Sequence, residues 1–221
     1  MTSLTEPAKA IVEVGRRMWS KGWVAANDGN ISIRVEETRV LITPTGASKG
    51  FLNVEDLVSI DLAGRVLGGR GRPSSESLLH LSVYRDRPDV RGICHAHPVF
   101  ATAYAVAGQA LTQKVLPEVV VALGEIPLVS YGTPGGAEFY QPLKEFIPRA
   151  NAFLLQNHGV LTIGKDVFEA YFRMETVEQF AKILFVATQL GRVNELNQQQ
   201  VAELEARRER LKAAVADAAG E

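Results

Sequence analysis

Apolar residues recur along the chain in two rhythms, one helical and one extended. Residues 7–21 place Ile11, Val14 and Met18 on one stripe, the period of an amphipathic helix, and Pro7 suits its first turn. "ISIRV" alternates and "RVLIT" runs apolar, so the two read as paired strands, with "LVSID" as a third. Ser74 or Ser75 is placed to cap a helix that runs to about Arg87 and is stopped by Pro88. "RGICHAH" reads as a strand, and Pro98 opens a helix to about Gly108. "IPLVSY" is strand-like, and residues 136–148 have a helical pattern. "NAFLLQNHGVLTIG" reads as two strands, or as one strand kinked at His158-Gly159. The longest helix spans about Asp166 to Leu190 and is closed by Gly191, and a charged helix covers about 198–216. Interleaved strands and helices predict one α/β domain over residues 1–221, with a helical tail from about 192. Several connections are too short for crossovers, which predicts a mixed or mostly antiparallel sheet.

Composition narrows the function classes. A formal net charge of −1 gives no long-range field for nucleic acid or an anionic membrane, so an anionic ligand has to be caught by a few placed groups. Cys94 is the sole cysteine, which rules out an intrachain disulfide. The N-terminal stretch carries acids and lacks the apolar core of a signal peptide, and no run approaches the roughly 18 apolar residues of a membrane span. The expectation is a cytoplasmic protein.

Candidate chemistry starts with "HAH". On a strand, residues two apart share a face, so His95 and His97 present two imidazoles to one side while Ala96 packs on the other. His158 follows another apolar stretch, and Gly159 beside it leaves room for close approach. Three imidazoles suit a divalent transition metal, zinc first and cobalt or manganese as alternatives, with a position left for substrate. His80 lies one helical turn after Glu76 and reads as a supporting or structural residue. Glu76 is either an ordinary helix-start glutamate or an acid/base group beside the metal. The Gly-rich turns "NDGNIS", "TPTGASKG" and "PSSES" offer backbone N–H groups and hydroxyls to an anion, and Asp28-Gly29 is by itself a hairpin-turn signal.

"GNIS", "TPTG", "PSSE", "HAHP" and "QNHG", in this order, resemble the class II aldolase/adducin family over residues 8 to 190. They look most like its branch that cleaves L-fuculose 1-phosphate. The resemblance implies a three-layer α/β/α sandwich around a mixed, mostly antiparallel sheet. It implies a homotetramer with active sites between neighbours, and a small phosphorylated sugar as substrate. Carried across, His95, His97 and His158 match the zinc ligands, and Glu76 matches the carboxylate that ligates zinc and then moves a proton. Gly29, Asn30, Thr45, Gly46, Ser74 and Ser75 match the phosphate-binding positions. The implied reaction is retro-aldol cleavage of a ketose 1-phosphate to dihydroxyacetone phosphate and an aldehyde.

The chain departs from that pattern twice. The stretch "VLPEVVVALGE" carries Glu118 where the aldolase has a tyrosine supplied across the subunit interface, and residues 192–221 lack the tyrosine that closes over substrate. A glutamate there resembles what sugar-phosphate dehydratases of the family use. A dehydratase, epimerase or decarboxylase on a related sugar phosphate therefore stands as the alternative. Cupins also carry an HxH pair but are nearly all-β, and HxH-bearing hydrolase barrels need about 250 residues. A non-catalytic interaction module would not need the three histidines and Glu76.

Overall fold

A computed structural model describes residues 4–133 and 140–219. Helix α1 (Thr5–Ser20) leads through a loop into strand β1 (Asn30–Glu36), which turns at residues 37–38 into β2 (Arg39–Ile42). β3 (Val58–Asp61) and β4 (Val66–Gly68) continue the meander. Then come α2 (Ser77–Asp86), β5 (Gly92–Ala96), α3 (Val99–Val106), α4 (Pro117–Ala122) and a two-residue β6 (Leu128–Val129). The chain ends in a hairpin of β7 (Ala152–Leu155) and β8 (Gly159–Gly164), a long α5 (Val167–Gln189) and a tail helix α6 (Gln198–Ala219). Single 3-10 turns stand at Val54–Asp56 and Pro142–Glu145.

The strands form one sheet in the order β4-β3-β2-β1-β5-β8-β7-β6. Every pairing is antiparallel except β6 with β7. The sheet is therefore mixed and mostly antiparallel, as its short connections require. Each face carries its own core, which makes the three layers. On one face Ile11, Val14 and Met18 of α1 pack with Met174, Val177 and Phe180 of α5 over Ile31, Cys94 and Val160. On the other, Leu79, Leu81 and Val83 of α2 pack over Ile42, Ile60, Ile93 and Leu161. Full burial of each such side chain contributes roughly 1.5–3 kcal/mol.

The alternation along β5 sets up the site. Cys94 and Ala96 enter the α1/α5 core, so Ile93 and His95 face the α2 side. No helix among the described residues is long and apolar enough to cross a membrane.

Several elements differ from the sequence pattern. The helix at 117–122, with Pro117 at its start, and the edge strand β4 are not legible in the apolar spacing. The helical pattern at 136–148 lies partly outside the described residues, and its described portion holds a 3-10 turn at Pro142–Glu145. "IPLVSY" contributes just two strand residues. Asp28-Gly29 is no hairpin turn; it belongs to the loop entering β1. The start of α2 is capped by neither serine: Glu76 occupies the N-cap position with no side-chain capping bond, and Ser74 Oγ instead accepts from Glu76 N at 3.3 Å.

Candidate metal centre and anion cleft

β5 ends at Ala96, and its neighbours in the sheet are β1 and β8. Asn30 is the partner of His95 across the β1–β5 ladder, which brings the start of β1 beside the histidine pair. His158 is the last residue of the three-residue turn joining β7 to β8, with Asn157 at φ 55° ahead of it. Gly159 is needed here: a Cβ would lie 2.5 Å from His97 Cδ2 and 3.2 Å from His95 Cε1. The three imidazoles converge, one nitrogen from each lying within 4.8 Å of the others.

Glu76 closes the cluster from the N-terminus of α2. Its Oε2 is 3.2 Å from His95 Nε2, and its Oε1 is 3.1 Å from His158 Nε2. The Asn30 amide donates to Oε2 at 2.7 Å. Burial by itself would raise the Glu76 carboxyl, but the hydrogen bonds from His158 and Asn30 oppose it, and the group is held well below the usual carboxylate range. His95 is fully buried, and burial pushes its imidazole down to about 3, so it is neutral at pH 7. Burial also lowers His97.

The donor set fits a divalent transition metal. His95 Nδ1 donates to the Val160 carbonyl at 2.9 Å, so its Nε2 carries a lone pair turned toward His158 and Glu76. His97 Nδ1 lies 3.4 Å from Asp28 Oδ2, while its Nε2 is buried without a hydrogen-bond partner among the described residues. Neutral imidazoles oriented through their second nitrogen are what such an ion needs.

Beside the cluster opens a cleft of about 160 Å³, and the three Gly-rich turns meet in it. Gly29, Asn30, Thr45, Gly46, Ser74 and Ser75 all line it, together with Glu76, His95 and His97. The turns are stitched by backbone bonds: Thr45 N donates to Arg72 O at 3.0 Å, and Ser74 N to Thr43 O at 3.1 Å. Gly29, at φ +70°, lets the loop press against His95, since a Cβ would fall 2.7 Å from the His95 carbonyl oxygen.

The model of the class II aldolase and adducin N-terminal domain matches residues 9–185, which spans the sheet, the histidine cluster and the cleft. The chain belongs to this family. It is 34% identical over 211 residues to the 3-oxo-tetronate 4-phosphate decarboxylase of Haemophilus influenzae, covering 94% of this chain and 99% of that one. It is 32% identical over 179 residues to the L-fuculose phosphate aldolase of Methanococcus maripaludis, covering 81% and 96%. Among solved structures, YgbL of Klebsiella pneumoniae superposes with a TM-score of 0.85 at 30% identity, covering 92% of this chain and 100% of that one. An L-fuculose 1-phosphate aldolase also superposes with a TM-score of 0.85, at 26% identity, covering 94% and 97%.

Glu118 stands apart from the histidine cluster within the subunit. It lies on α4 and lines a second cavity, of about 240 Å³, with Leu116, Val119, Glu175, Gln179 and Phe180. No lining residue is common to the two cavities. His80 lies behind the cleft, fully buried, with Nδ1 2.7 Å from Ser32 Oγ. Four cleft residues were not among the candidate site residues read from the sequence: Asn27, Asp28, Pro44 and Lys49. Lys49 lies in the turn "TPTGASKG" with no role read for it from the sequence, and it is buried.

Proposed function

We propose that the protein is a metal-dependent carbon–carbon lyase acting on a small phosphorylated sugar or sugar acid, with zinc held by His95, His97, His158 and, at rest, Glu76. The observation that carries the reading is the convergence of the three imidazoles and Glu76 on the edge of the anion cleft. Cobalt or manganese fits the same donors.

The names of the two curated relatives describe different leaving groups but the same remaining fragment. Cleaving a ketose 1-phosphate beta to its carbonyl releases an aldehyde and leaves the enediolate of dihydroxyacetone phosphate. Loss of carbon dioxide from a 3-oxo-tetronate 4-phosphate leaves that enediolate too. The metal, when bound, supplies Lewis-acid stabilisation of this charge. The chain's own residues do the rest. Gly29, Asn30, Thr45, Gly46, Ser74 and Ser75 hold the phosphate and so fix the reacting carbons, spending remote binding energy on position. Glu76, an anion at rest beside the cluster, takes up a proton from solvent and passes it to the enediolate carbon in cleavage, and removes that proton in the reverse direction. Asn30 orients Glu76 through its amide.

Retro-aldol cleavage also needs a base for the substrate hydroxyl whose proton is lost as the aldehyde forms. Glu118 fills that role if a neighbouring subunit delivers it, as in a homotetramer with active sites between subunits. Apolar side chains exposed along α5 (Phe172, Phe185, Val186), at its C-cap Leu190, and on α3 (Val99, Val106) support such an assembly. Decarboxylation is the second reading. One observation favours it: among the described residues, the subunit's own cleft offers one carboxylate besides Glu76, Asp28, and that faces His97. Carbon dioxide leaves without giving up a proton, so no second base is needed, and the enediolate takes up one proton from solvent, relayed through Glu76.

The test is an assay of the metal-replete protein on a panel of ketose 1-phosphates and 3-oxo sugar-acid phosphates, reading dihydroxyacetone phosphate, aldehyde and carbon dioxide. Chelator-sensitive release of dihydroxyacetone phosphate supports the lyase, and the co-product names the branch. Substrate loss without that product would overturn it in favour of a dehydratase or epimerase.

A further inference from the structure

Lys49 presents an unusual combination of burial and charge. Its relative exposure is 2%, at the end of the "TPTGASK" loop, under α1, where Gly15 presses on the Lys49 carbonyl. Its Nζ donates to two backbone carbonyls, Asn27 O and Ala47 O, both at 2.7 Å. Those two bonds tie the loop that precedes Asn30 to the loop that carries Thr45 and Gly46. An ammonium has three N–H groups, so one remains, and Lys49 lines the anion cleft.

Among the described residues no carboxylate makes an ion pair with Lys49. Asp28 and Glu76 act on it from a distance, and each is engaged elsewhere, Asp28 at His97 and Glu76 at His95, His158 and Asn30. Burial lowers the Lys49 ammonium to about 8, so it is still mostly charged at pH 7. A buried cation satisfied by neutral carbonyls alone is costly to the fold, and a methionine of similar shape would be easier to bury. The position makes sense when a ligand brings the counter-charge.

We infer that Lys49 is the cation that receives the anionic phosphate of the substrate in this cleft and so selects phosphorylated over free sugars. This rests on the phosphate-bearing substrate proposed above and adds to it a specificity-determining side chain. The carbonyl bonds hold Nζ in place, and its third N–H points the charge at the phosphate oxygens, beside the neutral donors of Ser74, Ser75 and Thr45.

The experiment is calorimetric titration of inorganic phosphate into the metal-loaded protein at pH 7, with wild type, Lys49→Met and Lys49→Arg compared for phosphate Kd, metal content and Tm. Losing one charge-assisted contact weakens phosphate binding by about tenfold to a hundredfold in Lys49→Met. Metal content holds, Tm does not fall, and Lys49→Arg recovers part of the binding. Equal phosphate affinity in wild type and Lys49→Met would overturn the inference and leave the lyase reading standing. So would a Tm drop in Lys49→Met with unchanged phosphate affinity, which would make Lys49 a loop tie alone. If Lys49→Met does not fold, Lys49→Gln keeps a donor for the carbonyls without the charge and is read by the same criteria. Failure of the lyase reading shows separately, as phosphate binding without turnover on the substrate panel.

Discussion

The Asn30 amide donates to Glu76 Oε2 across 46 residues of sequence, at 2.7 Å, and Asn30 is also the ladder partner of His95. One side chain thereby links the cleft, the carboxylate and the imidazole cluster. The orientation of Glu76 depends on the register of β1 against β5, since a one-residue slip would turn Asn30 to the other face.

Removing a ligand nitrogen should remove the metal. His95→Ala and His158→Ala are expected to lose bound metal and turnover together, while the wild type holds about one ion per chain by elemental analysis. Wild-type turnover from a metal-free variant would sink the metal-centred reading.

Glu76→Gln keeps the shape and the partner of the Asn30 amide but cannot exchange a proton. Turnover is expected to fall by about 100- to 10,000-fold with phosphate affinity retained. Unchanged kcat would take Glu76 out of the chemistry.

Gly159→Ala tests how tightly the centre is packed. The added methyl meets His97 Cδ2 and the Ala96 carbonyl at 2.5 Å, so the imidazoles have to move. Metal affinity is expected to drop by about tenfold or more, measured by competition with a chromophoric chelator. Full affinity would mean that the turn at 156–158 yields instead.

The proposed sharing of sites between subunits makes a mixing prediction. His95→Ala and Glu118→Gln chains, each inactive alone under the retro-aldol reading, should regain up to about a quarter of wild-type activity when co-assembled, because one site in four then combines an intact cluster with an intact neighbour. Complementation would be absent if Glu118 acts within its own subunit or not at all.

His80 gives the metal-free protein an acid limit. Burial holds its imidazole at about 4 against 6.5 in the unfolded chain. Below pH 6.5 the unfolded state takes up a proton that the folded state refuses, so from pH 6.5 toward 4 His80 alone lowers stability by about 1 kcal/mol per unit, in addition to the buried His95 and His97. Urea midpoints measured across that range should drop, and His80→Phe should flatten the slope. An identical slope in the variant would assign the acid sensitivity to other groups.

Much of this was legible in the chain itself. The period-2 placement of His95 and His97 fixed their common face, and Cys94 correctly fell on the opposite one. Ile11, Val14 and Met18 marked the buried stripe of α1. The order of the Gly-rich motifs identified the family, and with it the sheet. Glu76 had two readings, ordinary helix start or acid/base group, and its contacts with His95 and His158 are what bring it into the cluster.

The rest depended on long-range placement. Pro117–Ala122 is too short for its apolar residues to show a helical period, and β4 is held by pairing with β3 more than by its own composition. Glu118 stands where the resemblance expects a tyrosine, but the fold puts it on a different cavity from the histidines, and its part in the site rests on the proposed sharing between subunits. The sequence by itself determined which residue types the site would use and which strand faces they occupy, because those follow from local periodicity and motif order. The tertiary structure decided that Asp28 meets His97 and that Lys49 is a buried cation. Both depend on loops far apart in sequence closing over one another, and burial of a charge is a property of the whole fold, with no counterpart in the residues beside it.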